Sequence, residues 1–150
     1  MGHNQETEMT DAAVDDFLGD HETGVLALAR TDEPYAIPIS YGFDAEEREI
    51  YLRLVSTPDS EKRTFLASSP RARIVVYDED GSTYRSVVVI GSLEEITPDE
   101  LTAEDIVQYG QAKRPLFEIW TANRRALDIE LYRLTPESIS GRTVKIDQDA

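Results

Sequence analysis

Three apolar-rich stretches, GVLALAR (24–30), YAIPISYGF (35–43) and EIYLRLV (49–55), follow one another with only the polar turns TDEP and DAEER between them. Strands joined this tightly pair antiparallel, because a parallel neighbour needs a crossover of about a dozen residues. ARIVVYDE (72–79) and TYRSVVVIGSLEEI (83–96) flank a DEDGS turn and read as a longer hairpin, whose leading apolar residues are expected to be buried on both faces. In ALDIELYRL (126–134), Leu127, Ile129 and Leu131 alternate with Asp128 and Glu130, and SISGRTVKI offers a last short strand. Six or seven antiparallel strands must hide their edges, so the reading is a mainly β fold, a closed or split barrel with about three peripheral helices.

The helices have their own signals. Thr10 and Asp11 offer N-caps to a segment with Val14, Phe17 and Leu18 at i, i+3 and i+4, ended by Gly19. Thr57-Pro58-Asp59-Ser60 looks like a helix start leading into SEKRTFLASS, with Phe65 and Leu66 inward and Pro70 closing it. Thr97 and Glu100 form a capping box around Pro98, which predicts a helix from Pro98 to about Ala112. Residues 1–9 are polar and read as a flexible segment before a single domain over 10–150.

Composition removes whole classes of chemistry. With no Cys among 150 residues, a disulfide, a thiolate nucleophile and a cysteine-ligated metal are all excluded. Thirty acids against 15 bases give a net charge of −15, which leaves no cationic face for nucleic acid. No apolar run reaches the ~18 residues of a membrane span, and no basic-then-apolar leader opens the chain, so the expected address is the cytoplasm. Lys occurs only at 62, 113 and 145, and this distributed, Lys-poor acidity resembles that of proteins from salt-loving archaea.

Few residues offer chemistry of their own. His3 and His21 lack metal-ligand spacing and are expected to be solvated, no Gly-x-Ser-x-Gly elbow occurs, and no carboxylate pair stands out. Cations gather in one place, where Arg53 precedes Ser60, Lys62 and Arg63 at a helix start; a hydroxyl and cations beside free helix N–H groups can take a phosphate, and can equally be a solvated face balancing Asp59 and Glu61. Pro38, inside the strand YAIPISY, implies an interrupted ladder or a blocked edge. Tyr84-Arg85-Ser86 heads an apolar strand from a position that can reach a ligand, and Trp120 can stack on a ring or simply pack.

These features, in this order, resemble the pyridoxamine 5′-phosphate oxidase-like superfamily of flavin-binding split barrels, from GVLALAR through PYAIPISYGF, IYLRL, SEKRTFL and YRSVVVIGSLEEI to ESISGR. The resemblance implies a homodimer with flavin mononucleotide (FMN) in two clefts between subunits. It places Ala36, Ile37, Pro38, Ile39, Ser40 and Tyr41 along the ring, Arg53 and Leu54 near the phosphate or ribityl chain, and Ser60 and Lys62, with Arg63 beside them, at the phosphate. Ser86 matches a polar residue reaching the flavin from the partner, and Trp120 is a further ring-stacking candidate. It implies a redox enzyme working through the flavin on a small substrate, or else a flavin store or sensor, or a barrel that has lost flavin or uses haem or deazaflavin. Ala36 and Tyr41 replace the Arg and Lys of the true oxidase, and ELYRLTPESISGR lacks its Arg-x-His-x-Arg signature, so oxidation of pyridoxamine phosphate is not expected.

Overall fold

The computed structural model describes residues 4–56, 61–68, 71–96, 99 and 128–146, and within them the side chains of 5–54, 64–67, 71–96, 99 and 130–146. Along the chain these form β1 (Asn4–Glu8), α1 (Asp11–Asp20), β2 (Thr23–Arg30), β3 (Glu33–Asp44), β4 (Glu49–Ser56), α2 (Glu61–Ser68), β5 (Arg71–Asp80), β6 (Thr83–Ile96) and β7 (Asp128–Ile146). The third expected helix, Pro98 to Ala112, apart from residue 99, and the helix start at 57–60 lie outside the described residues. No helix among the described residues is long and apolar enough to cross a membrane.

All pairings are antiparallel, in the order β1-β7-β4-β3-β2-β5-β6, and β6 returns to β7 to close a barrel with β1 outside it. Alternation sends Leu26, Leu28, Ile39, Tyr41, Ile50, Leu52, Leu54, Ile74, Val76, Val87, Val89 and Leu134 into one core. The expected burial of the long hairpin on both faces is met only on the inner one. Val75 and Val88 point outward and are half-buried in the single chain.

Two segments depart from the sequence reading. Asn4–Glu8, expected to be flexible, pair with β7 from Asn4↔Ile146 to Glu8↔Arg142, and an Arg142–Glu6 ion pair ties the two strands. An edge strand held by its backbone needs no apolar side, so hydropathy carries no trace of it. The second departure is β7, one strand of 19 residues where two were expected. Pro136 is absorbed by a bulge, since Ile90 faces Ser138 while Gly91 faces Pro136 and Glu137 is left over. Glycine is required opposite, because a Cβ at position 91 would lie 2.2 Å from the Thr135 carbonyl oxygen.

Helix α1 caps the barrel as its periodicity predicts. Thr10 accepts from the Ala13 N–H at 3.1 Å, and Val14, Phe17 and Leu18 are buried. The last carbonyls of a helix have no intrahelical donor. Here the Tyr41 hydroxyl of β3 donates to the Leu18 carbonyl at 2.7 Å, and the His21 ring bonds the Phe17 carbonyl at 2.7 Å.

Candidate flavin cleft

The barrel opens at one place. β3 pairs with β2 along its length, from Arg30↔Glu33 to Thr23↔Ser40, but meets β4 only from Tyr41↔Leu52 to Asp44↔Glu49. β4 pairs with β7 on its other side from Ile50↔Leu134 to Ser56↔Asp128, so beyond Leu52 it keeps β7 as its partner and leaves β3. Residues 33–40 of β3 and 53–56 of β4 therefore diverge.

Backbone parity decides what this split offers. The Tyr41 N–H donates to the Glu22 carbonyl on the β2 side at 3.0 Å, so odd residues of β3 direct their backbone polar groups to β2 and even residues direct theirs toward the split. Pro34, Ala36, Pro38 and Ser40 are the even residues there. Pro38 thus places its missing N–H on the side where the β4 ladder has stopped, which is why proline is tolerated.

Side chains separate the expected site residues further. Ala36, Pro38, Ser40 and Arg53 alternate with the core-facing residues and lie on the outer face, where Ser40 is nonetheless buried. Ile37, Ile39 and Tyr41 turn their side chains inward and their backbone polar groups to β2, so they offer neither to a ligand at the split, and Leu54 likewise turns its side chain into the core. Burial, and secondarily the charge of Glu22, push the Tyr41 phenol well above its ordinary value and keep it a hydrogen-bond donor to Leu18. Tyr35 stacks on Phe65 with ring centroids 4.9 Å apart, which fixes α2 beside the start of β3. Lys62 and Arg63 belong to α2, but their side chains, like Ser60 and Trp120, lie outside the described residues.

Ser86 is not brought to the split within one chain. It faces outward on β6 in the row Tyr77–Ser86–Arg142, with β5 and β2 standing between it and β3. Arg85, its neighbour, points inward. Its guanidinium bonds both carboxylate oxygens of Asp78 at 3.1 and 2.6 Å and lies 5.0 Å over the Phe17 ring.

His21, expected to be solvated, completes that cluster: Nε2 is 3.0 Å from Asp78, and the ring stacks on Phe17 with centroids 4.1 Å apart. The Arg85 hydrogen bonds are the main cause holding the Asp78 carboxyl below the usual carboxylate range. Partners so distant in sequence leave no local motif, and only the position of His21 just past the predicted helix end hints at this role. No group of three His, Asp or Glu side chains among the described residues is arranged to hold a metal ion.

A closed six-strand antiparallel barrel with a helix over one end and a split between two strands defines the class of split β-barrels. The chain belongs to the pyridoxamine 5′-phosphate oxidase family, whose sequence model matches residues 10–143. No curated protein sequence matches it. Among solved structures, a FAD-binding protein from Mesorhizobium loti is 20% identical, with 95% of this chain and 99% of that one covered and a TM-score of 0.72. A FAD-binding protein from Mycobacterium smegmatis is 19% identical, with coverage of 93% and 98% and a TM-score of 0.64. A FAD- and haem-binding protein from Mycobacterium smegmatis is also 19% identical, with coverage of 95% and 73% and a TM-score of 0.61.

Proposed function

We infer that this protein is a flavin-binding split barrel, that its flavin is FMN, and that it works as an oxidoreductase on a small substrate. The observation that carries this reading is the split itself, which leaves the backbone groups of Ala36 and Pro38 without β4 partners and has Arg53 on the strand across it. The donor set fits the cofactor. The Ala36 N–H and the carbonyls of Ala36 and Pro38 match the acceptors and donors on the pyrimidine edge of an isoalloxazine ring. Arg53 makes no ion pair among the described residues, so its charge is available to a phosphate. Ser60 and Lys62 would complete that anchor. When bound, the flavin supplies hydride transfer at N5, while the chain holds the ring and shapes access to it. The FAD-binding character of three structural relatives supports the same cofactor class.

The reading includes a homodimer. Val25, Val75 and Val88 form one half-buried apolar row on the outer face, with Tyr77, 68% exposed, next to it. A second copy on this face would bury the row and carry Ser86 toward the partner's cleft. The test is the visible spectrum of purified protein after addition of FMN and removal of the excess. Retained flavin bands are expected, and reduction of that flavin by NAD(P)H would set a redox enzyme apart from a store. A colourless protein that retains no FMN would overturn the reading.

A further inference from the structure

Helix α1 ends without a basic residue in its last turn, where Asp20 adds to the negative end of the helix dipole. His21 stands just beyond as the C-cap. Both of its ring nitrogens meet acceptors: Nδ1 lies 2.7 Å from the Phe17 carbonyl oxygen, and Nε2 lies 3.0 Å from the Asp78 carboxylate. Asp78 is held ionised by Arg85, whose guanidinium bonds both of its oxygens. A carbonyl and a carboxylate only accept, so the two contacts are hydrogen bonds together only when both ring nitrogens carry protons, as in the imidazolium.

A neutral ring has a single N–H and must give one contact up. With the proton on Nδ1, the Nε2 lone pair confronts the Asp78 carboxylate and the tie to β5 fails. With the proton on Nε2, the Phe17 carbonyl, one of the last in the helix, loses its donor. The charged groups around the ring are Glu22 beside it, Asp20 on α1, Asp78 and Asp80 on β5 and Arg85 on β6, while the Tyr41 phenol of β3, which lines a groove with His21, stays neutral. Elsewhere α1 is held by buried Val14 and Leu18, by the Tyr41 hydroxyl and by the Arg48–Asp15 ion pair at 2.9 Å, none of which passes through the His21 ring. The effect of its proton is therefore confined to the last turn. That turn borders a groove of about 440 Å³ lined by Met9, Ala13, Phe17, Arg85 and Thr143 among others.

We propose that His21 is a pH-sensitive latch: as the imidazolium it pins the last turn of α1 to Asp78 of the β5–β6 hairpin, and loss of one ring proton releases that turn beside the groove. Histidine is the side chain whose ordinary titration falls between about pH 5 and 8. The latch is closed on the acid side and opens as pH rises through the titration of the ring. It involves α1 and the hairpin and none of the residues placed at the split.

The test follows the full-length protein from about pH 5 to about pH 8.5, the span around the ordinary histidine titration. Long-range ¹H–¹⁵N spectra read the protonation of the ring, and His3→Gln assigns the signals, since His3 and His21 are the two histidines of the chain. Amide hydrogen exchange, corrected for its intrinsic pH dependence, reads the last turn of α1 against Val87 and Val89 of the barrel core. Two ring N–H protons are expected at the acid end. As one is lost, protection of residues 17–20 should fall about tenfold or more, as for loss of a charge-assisted contact, with the same midpoint as the ring and with the core amides unchanged. His21→Gln should show the low protection at every pH and no step. A ring with a single N–H throughout, protection that is flat or steps at a different midpoint, or a step that persists in His21→Gln would overturn the proposal.

Discussion

Tyr41→Phe separates a structural from a ligand-binding role for a residue that the family resemblance sets beside the flavin. The Tyr41 hydroxyl donates to the Leu18 carbonyl at 2.7 Å in a fully buried site, and that carbonyl lies in the last turn of α1, where no backbone donor follows. Phenylalanine fills nearly the same space, so the cavity term is small and the cost is that of a buried acceptor left unpaired, about 1–3 kcal/mol. For a chain of this size each kcal/mol lowers the melting temperature by about 2–4 °C, a fall that thermal unfolding followed by circular dichroism would read. Urea unfolding should show a lower midpoint with an unchanged slope. FMN affinity should not move, because the side chain faces the core. The pH dependence adds a second check. Burial raises the folded-state phenol above the ordinary value near 10, so its contribution is complete below about pH 10 and is lost as pH rises toward the folded value. The gap between parent and variant should be flat below pH 10 and narrow above it. A stability change under about 0.5 kcal/mol, or a large loss of FMN affinity with unchanged stability, would refute the reasoning.

Other substitutions probe the rest of the fold and the cleft. Gly91→Ala should cost at least about 3 kcal/mol, since its Cβ would sit 2.2 Å from a backbone oxygen that can move only with the bulge; the melting temperature checks this. Asp78 is held below its ordinary value of about 3.9, so its contribution is complete above that pH and lost as pH falls through the folded value; in Asp78→Asn, acid titrations of stability should lose that part of the slope below about pH 4. Arg53→Ala and Lys62→Ala should each weaken FMN about tenfold if a charge-assisted phosphate contact is lost, measured by flavin fluorescence titration. Val75→Asp puts a charge into the outward valine row and should convert a dimer to monomer in light scattering while leaving the barrel's circular dichroism unchanged.

Much of the fold was legible because it rests on local physics. Alternation in GVLALAR, YAIPISYGF and EIYLRLV, the two-residue turn at Gly81, whose φ is +61°, and the Thr10 cap all act within a few residues. Pro38 implied an interrupted ladder or a blocked edge, and the ladder to β4 does end at Tyr41. The family resemblance rested on the order of these same segments. Tertiary structure decided what depends on distant pairing. Polar β1 became a strand only because β7 offered it an edge, and Pro136 stayed inside a strand because Gly91 made room for its bulge. Parity alone divided Ala36, Pro38 and Arg53 from the core-facing Ile39, Tyr41 and Leu54, and a one-residue change of register would exchange them. The same long-range register joined Asp78 to Arg85 across the hairpin and brought His21 to them.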